Sequence, residues 1–265
     1  MKKAILLLIL SLIAVHSAYA EPIKIVATTS TLEDLIKGVG GDNVDVTYIV
    51  SSGVCPDHWD LKPSQVAALN EASIIVQHGM EGWLKNITRP DQKVIVLSGP
   101  WNTPQMAINK TMQIAAALKE ADPEHAEEYD QRATILVERF QNVSEVLSER
   151  ARAADTKNVK VLCMEWQSGF VSWMGFDIVK TYASEEKLSL KDVDDLIKVG
   201  RENNVTVVVD NLQSGVRVGE QIASEINATH VILTNFPGAV EGTETLDKMI
   251  LHNGEALLAA VSAAA

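Results

Sequence analysis

The chain has 265 residues, with 35 acidic side chains against 23 basic ones and a formal net charge of −12. That balance argues against a nucleic-acid binder and fits a cationic or neutral partner. Apolar residues make up 46% of the chain, enough to bury the core of one large or two small α/β domains.

The first element is a leader. Lys2 and Lys3 precede the apolar run Ala4 to Val15, and His16-Ser17-Ala18-Tyr19-Ala20 sets small residues three before and one before a cut after Ala20. Residues 1–20 read as a secretory signal, which places the mature chain in the periplasm or on the outer face of the cell membrane. The apolar run is shorter than the roughly 20 residues a spanning helix needs, and no later segment is long and uncharged enough to supply one. No cysteine follows the cleavage point, so a lipid anchor is not expected. Removal of Lys2 and Lys3 takes the charge from −12 to −14.

Ile23 to Thr29 is a β-branched run of the buried-strand type, and Ser30-Thr31-Leu32-Glu33-Asp34 opens a helix with a capping hydroxyl and an acidic first turn. The pattern returns with strands at Val44–Ser51, Ile74–Gln77 and Val94–Leu97, the middle one preceded by a helix from Pro63 to Glu71. Apolar strands alternating with helices predict a parallel sheet covered on both faces. Between Asp122-Pro123 and about Asp155 runs a glycine-free helical stretch, with Asp122 as cap and Pro123 at the first helical position. Ala126, Tyr129, Ala133, Leu136, Val137, Phe140, Val143 and Leu147 recur at three- and four-residue spacing, which predicts one buried stripe. Strands then resume at Val159–Cys163, Ile178–Tyr182, Val205–Val209 and Val231–Leu233, with helices near Leu190–Asn203 and Val218–Asn227. The reading is α/β: a lobe over residues 21–121, a bridging helix over 122–155, and a second lobe over 156–265.

Asn86, Asn109, Asn142, Asn204 and Asn227 each begin an Asn-x-Ser/Thr sequon. Asn204 and Asn227 fall at predicted helix ends, where Asn terminates helices for backbone reasons. Cys55 and Cys163 both lie in the exported part; an oxidising compartment favours pairing them, and a metal favours keeping them as thiolates. Two free thiols are expected, because a disulfide across an interlobe gap would lock the cleft against exchange.

In open parallel sheets ligands bind beyond the carboxyl ends of the strands. Those loops carry Cys55 and His58 after the second strand, His78 after the third, Trp101 after the fourth, Cys163-Met164-Glu165-Trp166 in the second half, and Asn235-Phe236 after the last strand. Sulfur, imidazole and carboxylate on opposed loops are a donor set for a soft or borderline ion. Each residue also has an ordinary structural role, Cys163 and Met164 as core hydrophobes above all. Trp59, Trp101, Trp166 and Trp173 are candidates to line a cleft or to pack between lobes.

In Ile25-Val26-Ala27-Thr28-Thr29-Ser30, in Asp57-His58-Trp59-Asp60-Leu61-Lys62-Pro63-Ser64, in Asn70 to Val76 with Gly79 and Glu81-Gly82-Trp83-Leu84, and in Asp122-Pro123-Glu124, the chain resembles the zinc and manganese binding proteins of ABC transporters. The resemblance covers essentially the whole mature chain. It implies two Rossmann-like lobes with parallel sheets joined by a single long bridging helix, and a ligand cleft between them. It also implies a transported zinc or manganese ion, an ABC permease as partner, a monomer and no enzymatic activity. Carried over residue by residue, the first family ligand is His58. The second falls on Gly99 in Gly99-Pro100-Trp101-Asn102-Thr103-Pro104, the third on Met164 or Glu165, and the fourth on Asn235. The histidine-rich loop of zinc members has no counterpart, since Lys85 to Gln92 contains no His. A rebuilt site of Cys55, His58, His78, Met164 and Glu165, with Cys163 beside it, would suit copper or zinc better than manganese. Capture of another solute or a metal chelate is the competing reading, and a surface adhesin a third. No Gly-x-Ser-x-Gly, His-Glu-x-x-His or phosphate-loop motif points to an enzyme.

Overall fold

The structure, a computed structural model, describes residues 21–264, so the leader expected over residues 1–20 lies outside the described residues. Two four-stranded sheets form the centres of two lobes. The first holds β1 (Ile23–Ala27), β2 (Val44–Tyr48), β3 (Ile74–Gln77) and β4 (Lys93–Val96) in the order β2-β1-β3-β4. The second holds β5 (Lys160–Met164), β6 (Asp177–Tyr182), β7 (Val207–Asn211) and β8 (Thr229–Leu233) in the order β6-β5-β7-β8. Every neighbouring pair is parallel, as continuous Val/Ile runs require. The two lobes therefore repeat one topology, and each has its strand order reversing between its first and third strand, β1/β3 and β5/β7.

The helices are α1 (Ser30–Gly40), α2 (Pro63–Glu71), α3 (Pro104–Ala121), α4 (Ala126–Ala153), α5 (Ser168–Trp173), α6 (Leu190–Asn203), α7 (Arg217–Ile226) and α8 (Leu246–Ala264). Apolar alternation along the strands sorts them into three cores. Val26 and Ile75 pack with Leu69 of α2 on one face of the first sheet, and Leu162 and Val208 pack with Leu196 and Ile222 of α6 and α7 on one face of the second. The remaining faces share a single core: Ile25, Ala27 and Val76 of the first sheet connect through α1, α3 and α4 to Val161, Val207 and α8.

α4 is what makes that core continuous. Its 28 residues follow a 3-10 turn at Pro123–His125, and at 1.5 Å per residue it is about 42 Å long. Asp122 stands at the N-cap of the turn, but its side chain makes no capping bond. Its carboxylate instead accepts from the Tyr129 hydroxyl and meets His125 Nδ1, both at 2.6 Å. Of the predicted stripe, Tyr129, Ala133, Leu136, Phe140 and Leu147 are buried, while Ala126, Val137 and Val143 are half-buried. A Cβ on Gly38 of α1 would lie 2.5 Å from Leu136, and one on Gly254 of α8 would lie 2.4 Å from Leu147. Both helices reach α4 through glycine, one from each lobe, onto leucines three turns apart on the same side. Truncating either leucine to alanine costs about 2–5 kcal/mol, since helix backbones cannot collapse into the space.

Asn204 and Asn227 end α6 and α7 in the left-handed conformation, with φ of 54° and 56°, as their sequence positions led us to expect.

Candidate functional site between the lobes

The carboxyl ends of the two sheets face one another. Past β1, Thr28 and Thr29 are buried; past β3, so is His78. The His78 ring stacks on Trp101 with centroids 4.1 Å apart, its Nε2 lies 2.8 Å from Thr29 Oγ1, and its Nδ1 has no partner among the described residues. Burial, and after it the charge of Lys110, lowers the His78 pKa to about 3, so the imidazole is neutral at any physiological pH. The turn that follows is held by Glu81, whose buried carboxylate accepts from Thr28 Oγ1 and from the His78 and Gly79 amides. Three charge-assisted bonds offset the desolvation of that carboxylate.

A seam of polar contacts closes the base of the cleft. Trp101 Nε1 donates to the Asn235 carbonyl at 2.7 Å, Ser30 Oγ to the Pro237 carbonyl at 2.8 Å, Asn102 Nδ2 to the Trp166 carbonyl at 3.1 Å, and Gln213 Nε2 to the Ser52 carbonyl at 2.8 Å. Each joins one lobe to the other. Asn235 is tied further within its own lobe, its side-chain oxygen to Gln167 and its amide to Gln213.

Above the seam the cleft widens into a cavity of about 740 Å³. Its wall is apolar where Met80, Trp101, Trp166 and Phe236 meet it, and polar at Asn211 and Gln213. At the mouth, His58 Nε2 stands 3.8 Å from Glu186 Oε1 of the opposite lobe, and both side chains are about half exposed. Cys55 lies beside them, half-buried; burial is the main reason its thiol pKa is raised, and the nearby carboxylates of Asp57 and Glu186 push the same way.

A family model described as zinc-uptake complex component A, periplasmic, matches residues 25–260. The chain belongs to this family. Among curated relatives, the iron-binding protein YfeA of Yersinia pestis is 22% identical over 237 residues, covering 80% of this chain and 76% of its own. The manganese-binding lipoprotein MntA of Halalkalibacterium halodurans is 23% identical over 273 residues, covering 91% and 89%. The crystal structure of ZnuA superposes with a TM-score of 0.75 at 20% identity, over 91% of this chain and 99% of that one. The fold expected from the sequence is thus the fold of the family, which is one of metal ABC transporter substrate-binding proteins and not of enzymes.

His58 and Cys55 line the cavity as the loop reading expected. His78 sits behind Trp101 rather than at the mouth. Met164 and Glu165, expected to face His58, do not. Met164 is buried under α6 and α7, and its Sδ accepts from the Trp166 amide at 3.2 Å; Glu165 is exposed, outside the cavity lining. Strand alternation explains the first: Leu162 and Met164 share one face of β5, and Cys163 points to the other. Cys163 is itself fully buried, donating to the Met164 carbonyl, and burial drives its thiol pKa far up. Neither cysteine is in a disulfide. Gly99 is an exposed turn residue with φ of 85°, and Asn235 braces the seam. Of the tryptophans, Trp101 and Trp166 line the cavity; Trp59 bonds Gln65 within the first lobe, and Trp173 packs on Phe170. Among the described residues, no three or more His, Cys, Asp or Glu side chains gather into a metal-holding group. No described helix is long and apolar enough to cross a membrane.

Sequence reasoning missed Glu186, Asn211 and Gln213. Asn211 ends β7 and Gln213 lies in the turn after it, and amides carry no chemical signature that marks them as functional. Glu186 lies in the turn after β6 and reaches the site only through the packing of the lobes.

Proposed function

We propose that this chain is an exported carrier that captures a transition-metal ion in the cleft between its lobes and delivers it to an ABC permease. The supporting observation is the pair His58 and Glu186, one from each lobe, with ring nitrogen and carboxylate oxygen 3.8 Å apart across the mouth. A divalent ion between them would be held by both lobes at once; Cys55 lines the same cavity, but among the described residues the three do not gather into a metal-holding group. An imidazole donor with a thiol on the same cavity wall favours zinc or copper over manganese. In this reading residues 21–121 and 156–265 are the two walls, and residues 122–155 hold them at a fixed separation. His78, Met164 and Glu165 supply no donor. The test is elemental analysis of mature protein purified without chelator. About one equivalent of zinc or copper is expected, falling at least tenfold in His58→Ala; metal content indifferent to that change rules the reading out.

A further inference from the structure

We infer that the metal reaches this cleft as a chelate, a divalent transition ion already held by a planar organic molecule that carries acceptor oxygens. The inference rests on the metal-carrier reading and names the form of its cargo.

The first ground is size. An ion with six waters, at about 30 Å³ per water, fills about 180 Å³, whereas the cavity is about 740 Å³. That volume is typical of clefts built for organic ligands.

The second ground is the shortage of protein donors. Zinc takes four ligands and other divalent ions up to six. The mouth offers His58, Glu186 and the half-buried Cys55, and no described group of three acidic, thiol or imidazole side chains is assembled. Two family positions are poor in donors, Gly99 because it has no side chain and Asn235 because it is a neutral amide whose oxygen already accepts from Gln167. Most of the coordination sphere must come with the ion.

The third ground is the wall. Trp166 is 52% exposed and lines the cavity, as does the buried Trp101, which stacks on His78 and on Phe236. A half-exposed indole on a cavity wall is a place for a flat ring. Beside them Asn211 is 1% exposed, and its Nδ2 is buried without a partner among the described residues. Its Oδ1 accepts from both the Gln213 amide and Ser214 Oγ, which fixes the amide group and leaves Nδ2 as a donor for a ligand oxygen. A bare ion could use neither the Trp166 ring nor Asn211 Nδ2. The charged lining is Asp57, Glu185 and Glu186 against Lys187 and Arg217, one negative charge in excess, which suits a cationic or neutral complex.

The experiment compares three probes on metal-stripped, full mature protein: zinc(II) alone, picolinate alone, and the zinc–picolinate complex. Picolinate is a flat aromatic ring with a carboxylate and leaves open positions on the ion. Binding is read by tryptophan fluorescence and by metal retained after desalting. The complex is expected to bind at least tenfold more tightly than either component. Trp166→Ala, at an exposed position, should weaken the complex about tenfold and leave bare zinc unchanged; Asn211→Ala, checked for an unaltered thermal midpoint, should do the same. Bare zinc binding as tightly as the complex, with no effect of Trp166→Ala, overturns the chelate and leaves the metal carrier standing. Picolinate alone binding as tightly as its complex overturns both. Retention of none of the three overturns the chelate, and the carrier reading is then decided by the as-purified metal content.

Discussion

Asp34 offers a quantitative test of how the lobes are held. It lies on α1 and accepts a hydrogen bond from the Leu246 amide at 2.7 Å, so it caps the start of α8 in the other lobe. Burial, the largest cause, raises its pKa from 3.8 to about 6; the Leu246 bond and Arg139 oppose the shift, while Asp247 and Glu33 add to it. The folded-state pKa is above the unfolded one, so the folded chain binds this proton more tightly. The stability Asp34 contributes is fully present below pH 3.8 and is lost as pH rises through 6. A shift of about two units corresponds to about 3 kcal/mol, and partial solvent access reduces it to about 1–2 kcal/mol. Asp34→Asn keeps a neutral acceptor for the Leu246 amide and removes the buried charge. The variant should melt roughly 2–8 °C above the parent at pH 7.5 and within about a degree of it at pH 4. Thermal scans by circular dichroism at half-unit pH steps measure the difference. A variant less stable than its parent at pH 7.5, or a gap that does not close on acidification, refutes the assignment and makes the α8 N-terminus the dominant influence on a charged Asp34.

Three further outcomes are expected. Gly219→Ala would set a Cβ 1.9 Å from Asp210 Oδ2, and Asp210 cannot move because Tyr182 and His230 hold it at 2.7 Å on each oxygen; the midpoint should fall by about 4–12 °C, for a loss of about 2–3 kcal/mol. Thiol titration under native conditions should count one slow group, Cys55, and titration after unfolding without reductant should count two; a count of zero would mean a disulfide. Small-angle scattering with and without bound ligand should nearly coincide, because a continuous helix and the polar seam both resist hinge opening; a marked contraction on binding would show that α4 does not brace the lobes.

The sheets and α4 were legible because their patterns are local. Val/Ile runs admit few alternatives to buried parallel strands, and a glycine-free amphipathic stretch such as residues 126–153 admits few to a helix. α3 was not read from the sequence, although Thr103-Pro104 is a capping hydroxyl ahead of a first-turn proline and the Met106 amide bonds Thr103 Oγ1. α8 packs against both β8 and α4, so Leu246, Met249, Ile250, Leu257 and Ala260 are buried with no regular polar face to reveal a period. At the site, His58 and Cys55 were legible because few residues can do their chemistry. The orientation of Met164 was legible too, had strand alternation been carried to the last residue of β5. Glu186 was not, because its place opposite His58 depends on how two lobes dock.

The spacing of Leu136 and Leu147 turns α4 into a ruler. One residue inserted between them would turn the second lobe by about 100° about the helix axis and advance it by about 1.5 Å. His58 would then face a different side of the second lobe, and Trp101 would lose the Asn235 carbonyl. Surface loops of this chain can change length one residue at a time, whereas this stretch of α4 can change only by whole numbers of turns matched by both neighbouring helices. Drift in its side chains is therefore open to the family in a way that drift in its length is not.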